Sequence, residues 1–146
     1  TANSIRDIIW LINPAFDTVQ DWLLRTKDFA ATVLRGVDYR LQYEGVNLSR
    51  KLPFDFRHHL FLLVKEALTN IARHARARVV EVHLEEDAGH WQLTIRDDGA
   101  GFDPAAATGG SGLRNMRTRA ARIGAQLDIQ SQPGQGTTLR LRVSPP

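Results

Sequence analysis

At 146 residues, 42% of them hydrophobic, the chain suits one compact domain with a real core. Its net charge of +3 is modest, and the absence of cysteine excludes a disulfide framework and thiol chemistry, which fits a reducing compartment. No run reaches membrane-span length: Ile8 to Ile12 is apolar but bounded by Asp7 and Asn13, no signal peptide is present, and a start at Thr1 suggests a piece cut from a longer protein.

Residues Ser4 to Asn13 read as the end of a helix that Pro14 interrupts, because the residue before a proline disfavours helical backbone. Apolar residues at Ile5, Ile9, Ile12, Phe16, Val19 and Leu23 step by four and three, as on a helix packed against other helices. The part before Pro14 is expected to be the end of a truncated helical bundle. The part from Asp17 to Arg35 is expected to be a helix of the domain itself, started by Asp17 with Gln20 as its capping-box partner and closed by Gly36. Val37 to Tyr43 alternates as a strand.

A long helix is predicted from about Asp55 to Ala75, burying Leu60, Val64, Ala67, Leu68, Ile71 and Ala75. On it Glu66, Asn70, Arg73 and His74 fall at i, i+4, i+7 and i+8 and share another face. Val80, Val82 and Leu84 mark one strand and Trp91, Leu93 and Ile95 the next, with Asp87 to His90 as the turn. Continuing that alternation one step turns Asp97 toward the core, where a carboxylate is costly unless something pairs with it. Residues Gly99 to Gly112 form an aperiodic glycine- and alanine-rich loop of functional length. A short helix then runs from Leu113 to about Ile123, and a hairpin of Leu127–Ile129 and Leu139–Val143 turns at Pro133 to Gly136. The order predicts an α/β (α+β) two-layer sandwich, with a mixed, mostly antiparallel sheet and helices on one face.

Four separated segments converge on one chemistry. Asn70 can offer its side-chain oxygen to Mg²⁺, and Glu66 one turn earlier can orient a water or accept a proton. Arg73 can meet phosphates as a forked cation. Asp97 can accept the exocyclic amine of adenine, and Gly99 and Gly101 allow a tight turn and close approach of base and sugar. Gly110 and Gly112 do the same ahead of the helix starting at Leu113, whose free N–H groups form an anion site. Thr137 can place a hydroxyl near the adenine edge. Each element alone is weak, since a Glu-x-x-x-Asn pair is usually a solvated face and Asp-x-Gly-x-Gly a turn; their order and separations together point to ATP. The arginine clusters at Arg73, Arg76 and Arg78 and at Arg114, Arg117, Arg119 and Arg122 lack aromatic interleaving or a base-reading motif. They read as solvated helix faces, not a nucleic-acid surface.

The chain resembles the catalytic, ATP-binding domain of sensor histidine kinases, in the group shared with gyrase, heat-shock protein 90 and MutL. Lys65 to Ala75 resembles the N box, Asp97 to Phe102 the G1 box, Gly110 to Leu113 the G2 box, and Gly136-Thr137 the last short motif. The Asn-x-x-Arg-His-Ala form at Asn70 to Ala75, and Gly-Leu-x-Asn-Met-Arg-x-Arg from Gly112 to Arg119, resemble the nitrate- and lipid-sensing subfamily. The resemblance implies a Bergerat-type fold binding Mg-ATP. Residues 1–14 would end a dimerisation bundle and residues 15–146 would be the catalytic domain.

Carried over by residue, Asn70 holds magnesium, Glu66 is catalytic and helps activate the acceptor, Arg73 contacts phosphate and Asp97 reads adenine. His74 matches the pattern, with a structural or ribose-edge hydrogen bond as an alternative to catalysis. Gly99, Gly101, Gly110, Gly112, Leu113 and Thr137 complete the ATP site. The γ-phosphate would pass to a histidine on the chain's own helical dimerisation and phospho-acceptor domain, then to the receiver domain of a response regulator. The parent would be a homodimer, with the fragment a monomer or weak dimer. The domain is expected in the cytoplasm, with an inner-membrane sensor as one form of the parent.

The family's acceptor histidine, followed by an acidic residue, has no counterpart before Lys51. His58-His59 is expected as a surface pair near the start of the long helix, and His83 and His90 as solvent-facing. Alternatives are an anti-sigma-factor serine kinase of the same group, which has no helical bundle in front; an ATPase clamp, which needs a longer chain; and an ATP-binding pseudokinase, against which intact Glu66, Asn70 and Asp97 count.

Overall fold

The computed structural model describes residues 14–103 and 111–146. The expected bundle remnant at residues 1–13, Gly110 and the middle of the glycine-rich loop therefore lie outside the described residues. After a 3₁₀ turn at Pro14–Phe16, three helices and five strands follow: α1 Val19–Val33, β1 Asp38–Glu44, α2 Phe54–Asn70, β2 Val79–Asp87, β3 His90–Asp97, α3 Ser111–Arg122, β4 Gln126–Ser131 and β5 Thr137–Val143. The strands form one sheet in the order β1-β2-β3-β5-β4. Only the β1–β2 pair is parallel, so the sheet is mixed and mostly antiparallel, as the strand patterns predict. A parallel pair needs a crossover, and α2 is that crossover.

One face of the sheet carries Val80, Val82, Leu84, Trp91, Leu93, Ile95, Leu139, Leu141 and Val143, all buried beneath the helices. Burying a side chain of this size contributes about 1.5–3 kcal/mol, so this layer supplies a large share of the stability. From α1 and α2, Trp22, Leu23, Phe56, Leu60, Phe61 and Val64 close over it. Phe56 meets Trp91 edge-on at 5.8 Å and Phe29 meets Phe61 the same way at 6.1 Å. The opposite face carries Glu81, His83, Gln92, Thr94, Arg96, Arg140 and Arg142, and strict alternation keeps it polar. His83 there pairs with Glu44 at 3.0 Å, and His90 reaches the Ser144 hydroxyl at 2.8 Å.

Two local expectations shift. The capping box of α1 is Thr18 with Asp21, not Asp17 with Gln20. The Asp21 backbone N–H donates to the Thr18 hydroxyl at 3.2 Å, and Thr18 N–H donates to the Asp21 carboxylate at 3.2 Å. Asp17 instead supplies its backbone carbonyl to Leu52 N–H at 2.7 Å, which holds the entry of α1 beside the entry of α2. The buried Arg57 joins the same corner, donating to the carbonyl oxygens of Leu52 at 2.9 Å and Phe16 at 3.4 Å. The second shift concerns His58 and His59, which are half-buried rather than a surface pair. His58 stacks on Phe54 at 5.4 Å, and Arg119 of α3 donates to His59 Nδ1 at 3.1 Å. Burial first, then the neighbouring cation at Arg119, holds the pKa of His59 below its usual value.

The β2–β3 hairpin turns on two residues, Ala88 at φ 52° and Gly89 at φ 81°. Positive φ at both central positions is the hairpin turn that asparagine-glycine favours, and alanine is strained there. Ala88→Asn is expected to raise unfolding free energy by about 0.5–1 kcal/mol, read as a higher urea midpoint at unchanged slope.

Candidate active site

Helix α2 does not end as an α-helix. From Ile71 to Ala75 the chain widens into a π-helical turn, and Arg76 stops it in the left-handed conformation at φ 51°. The α-helical spacing that groups Glu66, Asn70, Arg73 and His74 on one face therefore breaks after Asn70. Asn70, His74 and Ala75 line a cavity of about 290 Å³ between α2, α3 and the sheet. Glu66 and Arg73 lie off that wall, Glu66 half-buried and Arg73 exposed.

The far wall is β3 and β5. Ile95, Asp97, Thr137 and Leu139 line it, with Met116 of α3 and Ile129 of β4 adding apolar surface. Asp97 is 5% exposed and stands in register with Thr137. Its Oδ1 accepts the Gly99 N–H at 2.8 Å. Burial pushes the Asp97 carboxyl up from its ordinary pKa; the Gly99 N–H opposes that, the adjacent Asp98 charge adds to it, and the Thr137 N–H opposes it again. Asp98 points the other way. It accepts Arg78 N–H at 2.8 Å and Val79 N–H at 3.0 Å, and those two bonds hold its carboxyl below the ordinary range. Two adjacent carboxylates are thus driven apart in acidity by opposite surroundings.

Close backbone contacts explain the glycines. A Cβ at Gly99 would overlap Ala75, whose carbonyl accepts Ala100 N–H at 2.6 Å, so the turn after β3 is pressed against the π turn. Gly101 at φ 65° faces the backbone of Gln132, and Gly136 at φ 73° faces that of Asp97. Gly112 and Leu113 also line the cavity, but α3 starts at Ser111 rather than Leu113, so Gly112 sits in its first turn with Leu113 and not ahead of it. A Cβ at Gly112 would fall 2.6 Å from Glu66 Oε1 and 2.9 Å from Asn70 Nδ2, so α3 comes up against the tips of these two side chains.

Asp98 falls inside the Asp97 to Phe102 motif but has no role assigned there; its role is set by a backbone tie across the sheet. Ser131 is absent from the motif reading: Phe102 N–H donates to its hydroxyl at 2.8 Å, and the Thr137 hydroxyl lies 2.7 Å away. Leu127, Ile129 and Ser131 alternate inward on β4, so the periodicity that singles out Asp97 also marks Ser131.

The segment that carries this cavity matches a known family. Residues 56–146 match the family described as histidine kinase-, DNA gyrase B-, and HSP90-like ATPase. The chain belongs to this ATPase family. It is 38% identical over 117 residues to the sensor protein VraS of Staphylococcus aureus (strain COL), covering 80% of this chain and 33% of VraS. It is 34% identical over 104 residues to the signal transduction histidine-protein kinase/phosphatase DegS of Brevibacillus brevis, covering 70% of this chain and 27% of DegS. The chain thus spans a third or less of these curated relatives.

Two solved structures share the fold. The histidine kinase domain from the blue-light activated histidine kinase of Erythrobacter litoralis EL346 superposes with a TM-score of 0.74 at 23% identity, over 87% of this chain and 61% of that one. The catalytic domain of histidine kinase ThkA superposes with a TM-score of 0.67 at 11% identity, over 87% and 93%. Among the described residues of this ATPase domain, no helix is long and apolar enough to cross a membrane.

The two carboxylates give opposite pH signatures. Asp97 has a folded pKa above its unfolded value, so its charged form opposes folding. That cost is absent at low pH and grows as pH rises from the ordinary carboxylate range through the raised folded value. Asp98 has a folded pKa below its unfolded value, so the stability it contributes is full above the unfolded value and lost as pH falls through the depressed one. In urea titrations, Asp97→Asn is expected to gain stability over wild type with rising pH. Asp98→Ala is expected to lose stability at neutral pH, with the gap closing in acid.

Proposed function

We propose that this domain binds Mg-ATP and serves as the catalytic part of a two-component sensor histidine kinase. The observation that carries the reading is the buried Asp97, aimed into an apolar cavity whose other end is Asn70. A carboxylate in that setting answers an exocyclic amine, and the cavity's apolar walls answer a flat base. Family membership supports the reading, since the matched segment contains every described member of the site.

Asp97 would accept the amine of adenine, with Thr137 beside it and Gly99 and Gly101 giving the base and sugar room. His74, on the cavity wall, would meet the sugar edge, and Arg73, exposed on the π turn, would reach the phosphates. The first turn of α3 at Gly112 and Leu113 offers backbone N–H groups to the same phosphates. Asn70 fits magnesium by chemistry, as a hard oxygen donor on the cavity wall. Bound magnesium supplies charge neutralisation between the phosphates. Glu66 would take the proton that an imidazole nitrogen sheds as it accepts the γ-phosphoryl group and ADP leaves.

The imidazole belongs to a helical dimerisation domain of which residues 1–14 would be the end, and relay would continue to a response-regulator receiver domain. The parent would be a homodimer that holds this domain in the cytoplasm, and the chain alone a monomer or weak dimer.

A fluorescent ATP analogue is expected to bind saturably, and more tightly with Mg²⁺ than without. Asn70→Ala should erase the magnesium dependence, a loss of roughly tenfold or more in affinity. No binding by folded wild type would overturn the reading. Asp97→Asn is expected to keep the fold, by circular dichroism, and to lose ATP binding by about a hundredfold, because a buried acceptor facing a donor becomes mismatched. Wild-type affinity in that variant would remove Asp97 from the base pocket.

A further inference from the structure

Ser131, the last residue of β4, has a hydroxyl with three partners. The Phe102 N–H donates to it at 2.8 Å, the Gly136 carbonyl oxygen lies 3.1 Å away, and the Thr137 hydroxyl lies 2.7 Å away. A serine hydroxyl has one proton to give and two lone pairs to fill. The backbone N–H can only donate and the carbonyl can only accept. With all three contacts made as hydrogen bonds at once, the serine proton goes to Gly136, one lone pair receives Phe102 N–H, and the other receives the Thr137 proton. Counting donors sets the direction of the hydroxyl–hydroxyl bond, which distance alone leaves open. Thr137 sends its proton toward β4 and presents only lone pairs to the cavity.

We infer that Ser131 is a positioning residue for base recognition: by taking the Thr137 proton it sets an acceptor beside the Asp97 carboxylate, so that this wall accepts an exocyclic amine and rejects a carbonyl. The inference rests on the ATP-site reading above. Asp97 and Thr137 face each other across β3 and β5. Two adjacent acceptors suit a nitrogen carrying two protons, as in a 6-aminopurine. A 6-oxopurine would set its oxygen against lone pairs on both sides. The arrangement is held from two directions. Phe102 ties Ser131 to the segment after β3, and Gly134 N–H donates to Ala100 O at 2.6 Å, fastening the β4–β5 turn to that same segment. Both ties hold the Ser131 oxygen in place between Phe102, Gly136 and Thr137.

The test is calorimetric binding of ATP and of inosine triphosphate, which carries a 6-oxo group in place of the amine, to the 146-residue chain. Ser131→Ala leaves the Thr137 proton without its acceptor and free to donate into the cavity. The ratio of ATP to inosine triphosphate affinity should fall roughly fivefold. Ser131→Thr, which keeps a hydroxyl on a strand, should restore the ratio. In a Thr137→Val background, where no hydroxyl proton remains to direct, Ser131→Ala should leave the ratio unchanged. Should the alanine variant lose its fold, Ser131→Cys carries the same comparison, because a thiol is a weak acceptor. Equal weakening toward both nucleotides, or a ratio change that persists in the Thr137→Val background, would reduce Ser131 to a structural part and overturn the inference while the ATP reading stands. A wild type that binds neither triphosphate would overturn both together.

Discussion

The burial of one carboxylate organises this domain. Asp97 ends a strand whose previous inward residues, Trp91, Leu93 and Ile95, are all apolar, and it keeps their orientation at 5% exposure. An unpaired charge in such a place is costly, and the surrounding chain is arranged to limit that cost. The turn at Gly99 returns an N–H to the carboxylate, and β5 begins opposite it so that Thr137 supplies another. Those two N–H groups reach Asp97 only because backbones approach closely at Gly99 and Gly136, where a Cβ would collide with Ala75 and with Asp97 itself. Acceptor capacity is left over on this carboxylate, which lines the cavity. The residual strain of burial is thus the recognition capacity of the site.

Topology places the second half of the site opposite the first. Because β1 and β2 run parallel, the chain between them must cross the sheet, and it does so as α2. The crossing delivers Asn70 to the cavity wall facing Asp97, while the π turn that follows brings the end of the helix down onto Ala100. Helix α3 then closes the third side, and its glycine at position 112 lets it come up against Glu66 and Asn70. Asn70 comes to the cavity from a helix, and Asp97 and Thr137 come from the sheet, so its walls rest on rigid elements.

Much of this was legible because period and position coincide. Alternation of two along β3 is enough to turn Asp97 inward, and spacing of four along α2 is enough to place Asn70 and Glu66 together. What escaped the sequence is what depends on contacts between distant segments. Nothing in Ile71 to Ala75 announces a π turn; it follows from the pull of Ala100 on the Ala75 carbonyl. The cap of α1 falls at Thr18 because Asp17 is drawn to Leu52, far along the chain. His58 and His59 are covered by Phe54 and by Arg119 of α3, the second of which no local pattern could supply. Ser131 was visible in principle, since it continues the inward series of Leu127 and Ile129. A small polar residue at a strand end is ordinarily dismissed as a turn, and only its three partners show otherwise.

The strand order also bears on synthesis. In space β5 lies between β3 and β4, yet in the chain it follows both. A ribosome makes Asp97, Asn70 and every helix before it makes Thr137. Until β5 inserts, β3 lacks its β5 partner and the cavity lacks the wall that Thr137 and Leu139 supply. The cavity is therefore completed only after β5 joins the sheet. A nascent domain cannot be captured by its ligand before the sheet is complete.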